Sequence, residues 1–246
     1  MSVIYCVLIG AVISMIINYL ADVLPETRKF SRPKCKKCGH PFTFKGYLFS
    51  FHCPVCGSYP SFRYWIVLSL SIVGSVSLAF FPLEPLSYWA SLPLITFLGL
   101  VAVIDIEHKA VLFETDIIGI VICLIYGLFL YKPLETILGG IGGAGIMLLF
   151  YFGGILFNKI LGRIRHQEIE EVALGFGDVF VCGYLGFLMG WPRIIGMIII
   201  TILLGGLFSL VYMLIKIISK KYSAFSAIPY VPFLILAALT MFYFPG

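Results

Sequence analysis

The sequence predicts an all-α integral membrane protein: about eight transmembrane helices and one cytoplasmic insert shaped by cysteine. Three observations carry that expectation. Hydrophobic residues make up 61% of the 246-residue chain and charged residues 12%, with mean hydropathy +1.05, so most of the chain cannot form a water-facing surface. Apolar runs close to the length of a bilayer crossing recur from end to end. The cysteine pairs and nearly half of the basic residues, by contrast, crowd into a single stretch between the first two runs.

The runs are 3–24, 64–83, 89–106, 112–131, 134–158, 178–191, 194–218 and 227–244, where a crossing helix needs about 20 apolar residues. The first lacks a basic segment before it and exceeds the usual apolar length of a cleaved signal, so it is expected to stay as the first span. Orientation follows from Lys and Arg, which collect in short cytoplasmic loops. Arg28, Lys29, Arg32, Lys34, Lys36, Lys37, Lys45 and Arg63 lie between the first two spans. Alternate threading then puts Lys109, the group Lys159, Arg163 and Arg165, and the group Lys216, Lys220 and Lys221 on that same side. Only Lys132 and Arg193 fall opposite, so fifteen of the 17 basic residues share one face. This explains the net charge of +5 without a nucleic acid partner. Both chain ends are expected outside. The organisation expected is a first transmembrane helix at 1–24, a cytoplasmic loop at 25–63 and a seven-helix membrane core at 64–246.

Within the loop stand Cys35-x2-Cys38 and Cys53-x2-Cys56, each pair followed by a glycine, Gly39 and Gly57. Two thiolates at that spacing grip one metal from a tight turn, and two such turns complete a tetrahedral four-sulfur site that favours Zn2+. Disulfides are the alternative, and a reducing cytoplasm disfavours them. A closed four-Cys site is structural, since no coordination position stays open for chemistry. His40 and His52 beside the pairs read as surface residues. Cys6, Cys123 and Cys182 read as small core residues within apolar runs.

Among the 12 acidic residues, Glu26, Glu84, Glu135, Glu168, Glu170 and Glu171 fit loops or span ends. Asp22, Asp105, Glu107, Glu114, Asp116 and Asp178 are harder to place in water, and a carboxylate at membrane depth marks a functional site unless it simply ends a helix. Asp22 and Asp116 suit either reading. Asp105 ends the third run and Asp178 begins the sixth, so the threading sets both at the cytoplasmic side and at similar depth. Two carboxylates sharing a site cannot both ionise freely and hold a proton between them, the arrangement with which aspartic proteases activate water and polarise a carbonyl. In GFGD, residues 175–178, the glycines let the backbone bend and come close to a partner helix or substrate strand. Glu107 stands two positions from Asp105, so on a helix only one of them can face Asp178. The segment GGIGGAG at 139–145 reads as close helix packing rather than a phosphate loop, and WPR at 191–193 as an interface anchor.

In this order the features resemble the type IV prepilin peptidases, also called prepilin leader peptidase/N-methyltransferases, of the GxGD class of intramembrane aspartyl proteases. The resemblance rests on Gly10 and Asn18 running into Leu24-Pro25, the CxxC…CxxC loop closing in Arg63-Tyr64, an aspartate after the third span, GFGDV at 175–179, and IPYVPF at 228–233. It implies a cytoplasmic-face enzyme, with 64–246 as its peptidase core. Such an enzyme cuts the basic leader from type IV prepilins or pseudopilins after a glycine, and in many members methylates the new N-terminus from S-adenosylmethionine. Asp105 and Asp178 take the places of the two catalytic aspartates. The chain departs from the family pattern at Leu112 and Phe113, where Pro-Asp is usual, at Phe180, where Lys is usual, and at Leu68, where Glu often stands. These changes leave proteolysis expected and N-methylation open. Two other classes share parts of the pattern. A proton-coupled transporter would show internal repeats and acids near mid-membrane, and a scaffold with a zinc loop would not need paired aspartates.

Overall fold

The computed structural model describes residues 2–43, 46–47, 52–59, 61–165, 175–219 and 229–243. Eight α-helices and no strands occur among the described residues. They are α1 (Val3–Thr27), α2 (Phe62–Phe80), α3 (Tyr88–His108), α4 (Phe113–Leu130), α5 (Pro133–Arg165), α6 (Phe176–Met189), α7 (Arg193–Ile218) and α8 (Val231–Tyr243). Each of the eight apolar runs falls on one helix. Six helices are long and apolar enough to cross a membrane, whereas α6 with 14 residues and α8 with 13 are shorter. The protein is therefore a multi-pass helical membrane protein with two short apolar helices.

Two compact units divide the chain, Met1–Ile104 and Asp105–Gly246. In the first, α1 packs along α2. Gly10 makes the crossing possible, because a Cβ there would stand 2.6 Å from the Ile72 Cα. α1 ends where Arg28 takes a left-handed conformation and returns its N–H to the Leu24 carbonyl.

In the second unit α6 is the central element, touching α4, α5, α7 and α8. It buries Val179, Val181, Cys182, Tyr184, Leu185, Leu188 and Met189, so it is apolar nearly all round, as an interior helix must be. The close packing expected of GGIGGAG is what the structure shows. A Cβ on Gly139 would lie 2.3 Å from the Gly186 carbonyl oxygen, one on Gly186 the same distance from that of Gly139, and one on Gly143 2.6 Å from the Cys182 oxygen. Main chains can approach that closely only where glycine lines the contact. The WPR segment starts α7: the Trp191 N–H donates to the Glu135 carbonyl at 2.8 Å, and Arg193 donates to the Tyr131 hydroxyl at 2.7 Å with its guanidinium over the same ring.

Candidate active site

The insert between α1 and α2 folds as two copies of one turn. In the first, the Gly39 N–H donates to the Cys35 carbonyl at 2.8 Å and the Cys35 N–H to the His40 carbonyl at 2.9 Å. In the second, Gly57 donates to Cys53 and Cys53 to Ser58, both at 2.9 Å. Gly39 and Gly57 adopt φ of +71° and +65°, the left-handed region that glycine enters without strain, which is why each pair is followed by one. All four thiols are free, and their sulfurs lie within 4.8 Å of one another. Cys35 and Cys56 are 3.6 Å apart, as are Cys38 and Cys53. A tetrahedral ion with metal–sulfur bonds of about 2.3 Å separates its sulfurs by roughly 3.8 Å, so the group fits one metal ion. His40 and His52 lie outside the group.

Ser58 reaches both turns, with its Oγ 3.4 Å from Cys35 Sγ and 3.0 Å from Cys56 Sγ. Hydrogen bonding from Ser58 and from the backbone holds the Cys35 thiol down to about 5 and lowers that of Cys56. The His40 N–H favours the Cys38 thiolate, yet burial and the neighbouring sulfurs outweigh it and push this thiol up to about 12.

Asp22, which the sequence left between two readings, fastens this insert. Arg63 stands 2.9 Å and Lys36 3.2 Å from its Oδ1, while the Tyr47 hydroxyl donates to its Oδ2. Burial and the nearby Asp22 charge keep the Tyr47 phenol well above its ordinary value, so it stays a donor. A cavity of about 300 Å³ opens beside them, lined by Lys36, Tyr47, Ser58, Arg63 and Tyr64 among others. A carboxylate with three such partners is an anchor.

The two aspartates are built differently. Asp105 lies in the last turn of α3, which Lys109 closes in a left-handed conformation by returning its N–H to the Asp105 carbonyl at 2.8 Å. Its side chain is 5% exposed, and its Oδ2 accepts the Val231 N–H from the start of α8 at 3.2 Å. Glu107 is exposed and within 3.9 Å of His108, so Asp105 is the inward-facing member of that pair. Asp178 is the third residue of α6 and 7% exposed, and its Oδ2 accepts the Gly175 N–H at 2.9 Å. The glycines of GFGD thus have separate tasks. Gly175 caps α6 and offers its N–H to Asp178. Gly177 admits Val111, since a Cβ there would meet the Val111 side chain at 2.9 Å.

Asp105 and Asp178 interact electrostatically. The fully buried Tyr184, two turns along α6, lies in the field of both and of Asp116. Asp116, in the first turn of α4, is 4% exposed, and its Oδ1 has no hydrogen-bond partner among the described residues. Sequence reasoning passed over Tyr184, whose place in an apolar run made it look like core, and over the N–H of Val231, which no side-chain pattern can reveal. Glu168, Glu170 and Glu171 lie outside the described residues, as do Lys45, Lys220, Lys221 and Ile228.

The chain is thus a multi-pass helical membrane protein with two buried, interacting aspartates at helix ends. Residues 92–210 match the model of the type IV leader peptidase family, so over that stretch the chain is similar to those peptidases. Both aspartates lie within the matched residues; the four-Cys insert and IPYVPF do not. Neither a curated protein nor a solved structure matches the chain.

Proposed function

We propose that the protein is an aspartic endopeptidase that removes the basic leader of type IV prepilins or pseudopilins, with Asp105 and Asp178 as its catalytic pair. The supporting observation is their joint environment: two buried carboxylates in electrostatic contact, each with one oxygen held by a backbone N–H and both within the family-matched residues. Sharing one proton, the pair has a donor and a base at once. The ionised carboxylate takes a proton from water as the water oxygen bonds to the scissile carbonyl carbon, while the protonated one donates to the carbonyl oxygen. Collapse of the tetrahedral intermediate breaks the C–N bond, and a proton passes to the departing amine.

Helices α6 and α8 are too short to cross a bilayer upright, about 21 Å and 20 Å at 1.5 Å per residue. Asp178 at the head of α6, and Asp105 bonded to the head of α8, would then face a recessed, water-accessible mouth. The clustering of Lys and Arg supports a mouth open to the cytoplasm, in a bacterial-type inner membrane. A basic leader would lie on that side and the apolar segment after the cut among the spans. Cys35, Cys38, Cys53 and Cys56 would hold a structural Zn2+, and 64–246 would be the peptidase core. Cleavage of a synthetic prepilin leader by the protein in lipid, read by the mass of the mature N-terminus, tests this. The same mass shows whether a methyl group from S-adenosylmethionine is added. No cleavage of any prepilin leader would remove the substrate assignment.

A further inference from the structure

The two aspartates draw their hydrogen bonds from very different distances along the chain. Gly175 serves Asp178 from the same turn, three residues away, whereas the donor to Asp105 comes from Val231, 126 residues away. Among the described residues this is the single hydrogen bond on the Asp105 carboxylate. Val231 is the first residue of α8, so its N–H is one of those that an α-helix cannot satisfy internally. Its position is fixed by packing: Val231, Leu234, Ala237 and Ala238 are all at most 1% exposed and form the buried stripe with which α8 lies against α6 and α7. The preceding Tyr230 packs on Phe233 and lies in the field of Asp178. The Tyr230–Val231 step therefore bonds one carboxylate and lies in the field of the other, although it lies outside the family-matched residues.

An aspartate carboxyl turns freely about its last torsion unless a partner fixes it, and misplacement of a reacting group by about 1 Å can lower a rate 100-fold. We infer that the Val231 backbone N–H is a positioning donor: it commits Asp105 Oδ2 to the protein and leaves Oδ1 to face water or the scissile carbonyl. This rests on the peptidase reading. The rival is that Asp105 merely caps α8, in which case losing the N–H would leave turnover unchanged.

Proline tests the difference, because the first position of a helix tolerates it and it deletes the N–H while keeping an apolar side chain. In leader cleavage by the full chain in lipid, Val231→Pro is expected to lower kcat roughly 10- to 100-fold, the weight of one hydrogen bond to a charged group. KM should stay within about twofold, as when an interaction made in the transition state is lost. Val231→Ala keeps the N–H and should keep most of kcat. If Val231→Pro does not fold, replacing Val231 by its α-hydroxy analogue removes the N–H while retaining the side chain, with the same expectation. Wild-type kcat in the N–H-deleted protein, or a loss in Val231→Ala as large as in Val231→Pro, overturns the inference. Normal cleavage by Asp105→Asn would instead overturn the active-site reading beneath it.

Discussion

The cysteine turns and the aspartate pair are both small polar constellations in an apolar chain, yet they are assembled by opposite means. Four sulfurs come together over 22 residues, through two copies of a turn in which the backbone hydrogen bonds at Cys35, Gly39, Cys53 and Gly57 span only four or five residues. The carboxylates come together over 74 residues, and the N–H that holds one of them lies further away still. The first constellation needs only local backbone geometry. The second needs Asp105 and the following residues to meet α6 and α8, so it is sensitive to glycines and apolar contacts away from the carboxylates themselves.

The largest effect should come from the aspartates. Asp105→Asn and Asp178→Asn should each lower leader cleavage by roughly 10⁴-fold, and the double variant should be no worse, since residues acting as a unit are not additive. Metal content, set by local turns, should not change. If Asp178→Asn cleaves normally, the aspartic mechanism is wrong. If Glu107→Gln is inactive and Asp105→Asn is not, the first acid has been misassigned despite the burial of Asp105.

Next comes a substitution that leaves both carboxylates in place. Gly186→Val would put side-chain atoms into the Gly139 main chain, and because backbone cannot move aside as a side chain can, the destabilisation should exceed the 1–3 kcal/mol typical of overpacking. Cleavage should fall by at least about tenfold, by the rule that 1.4 kcal/mol is a factor of ten. Metal binding should survive. Loss of metal together with activity would show that the two constellations are not independently built.

The converse substitution is Cys38→Ser. The protein should carry about one equivalent of zinc and the variant none, because a structural site needs all four ligands. Cleavage should weaken rather than vanish. Zinc retained in Cys38→Ser sinks the four-sulfur assignment, and complete loss of cleavage in a folded variant would tie the insert to the chemistry.

That difference in assembly also governed what the sequence could disclose. The cysteine spacing, its two glycines and the eight apolar runs were readable because each is local, and all reappear in the structure. Asp105 and Asp178 could be paired only through topology, by threading basic residues to one side. The task of Gly177 was not readable, since Val111 lies across a packed contact. Nor was Asp22, whose partners Arg63, Lys36 and Tyr47 are brought to it by the fold of the insert. The helix lengths were partly legible: the shortness of the sixth run was visible, but the eighth run, 227–244, looked long enough to cross because an apolar run does not show where the α8 backbone begins.

The smallest expected effect lies within the cysteine turns. Zinc binds thiolates, so protons compete with it. In the metal-free insert Cys35 sits at about 5, below its ordinary 9.0, chiefly because of Ser58. A thiolate favoured by the fold contributes stability fully above the unfolded value, and the contribution disappears as pH falls through the folded one. For Cys35 that window runs from about 9 down to about 5. Cys38, at about 12, has the opposite sign: its thiol form is favoured below 9, and that contribution is lost as pH rises towards 12. Metal entry at pH 7 should therefore displace a proton from Cys38 and none from Cys35. Ser58→Ala removes the main influence that keeps Cys35 ionised, so protons should compete there at higher pH. Zinc release to a chelator should become a few-fold easier at pH 6 while changing little at pH 9, and Ser58→Thr, which keeps a hydroxyl, should behave as the parent. Equal release by Ser58→Ala and the parent at pH 6 would remove the hydroxyl from the account and leave the backbone N–H groups as the source of the lowered thiol.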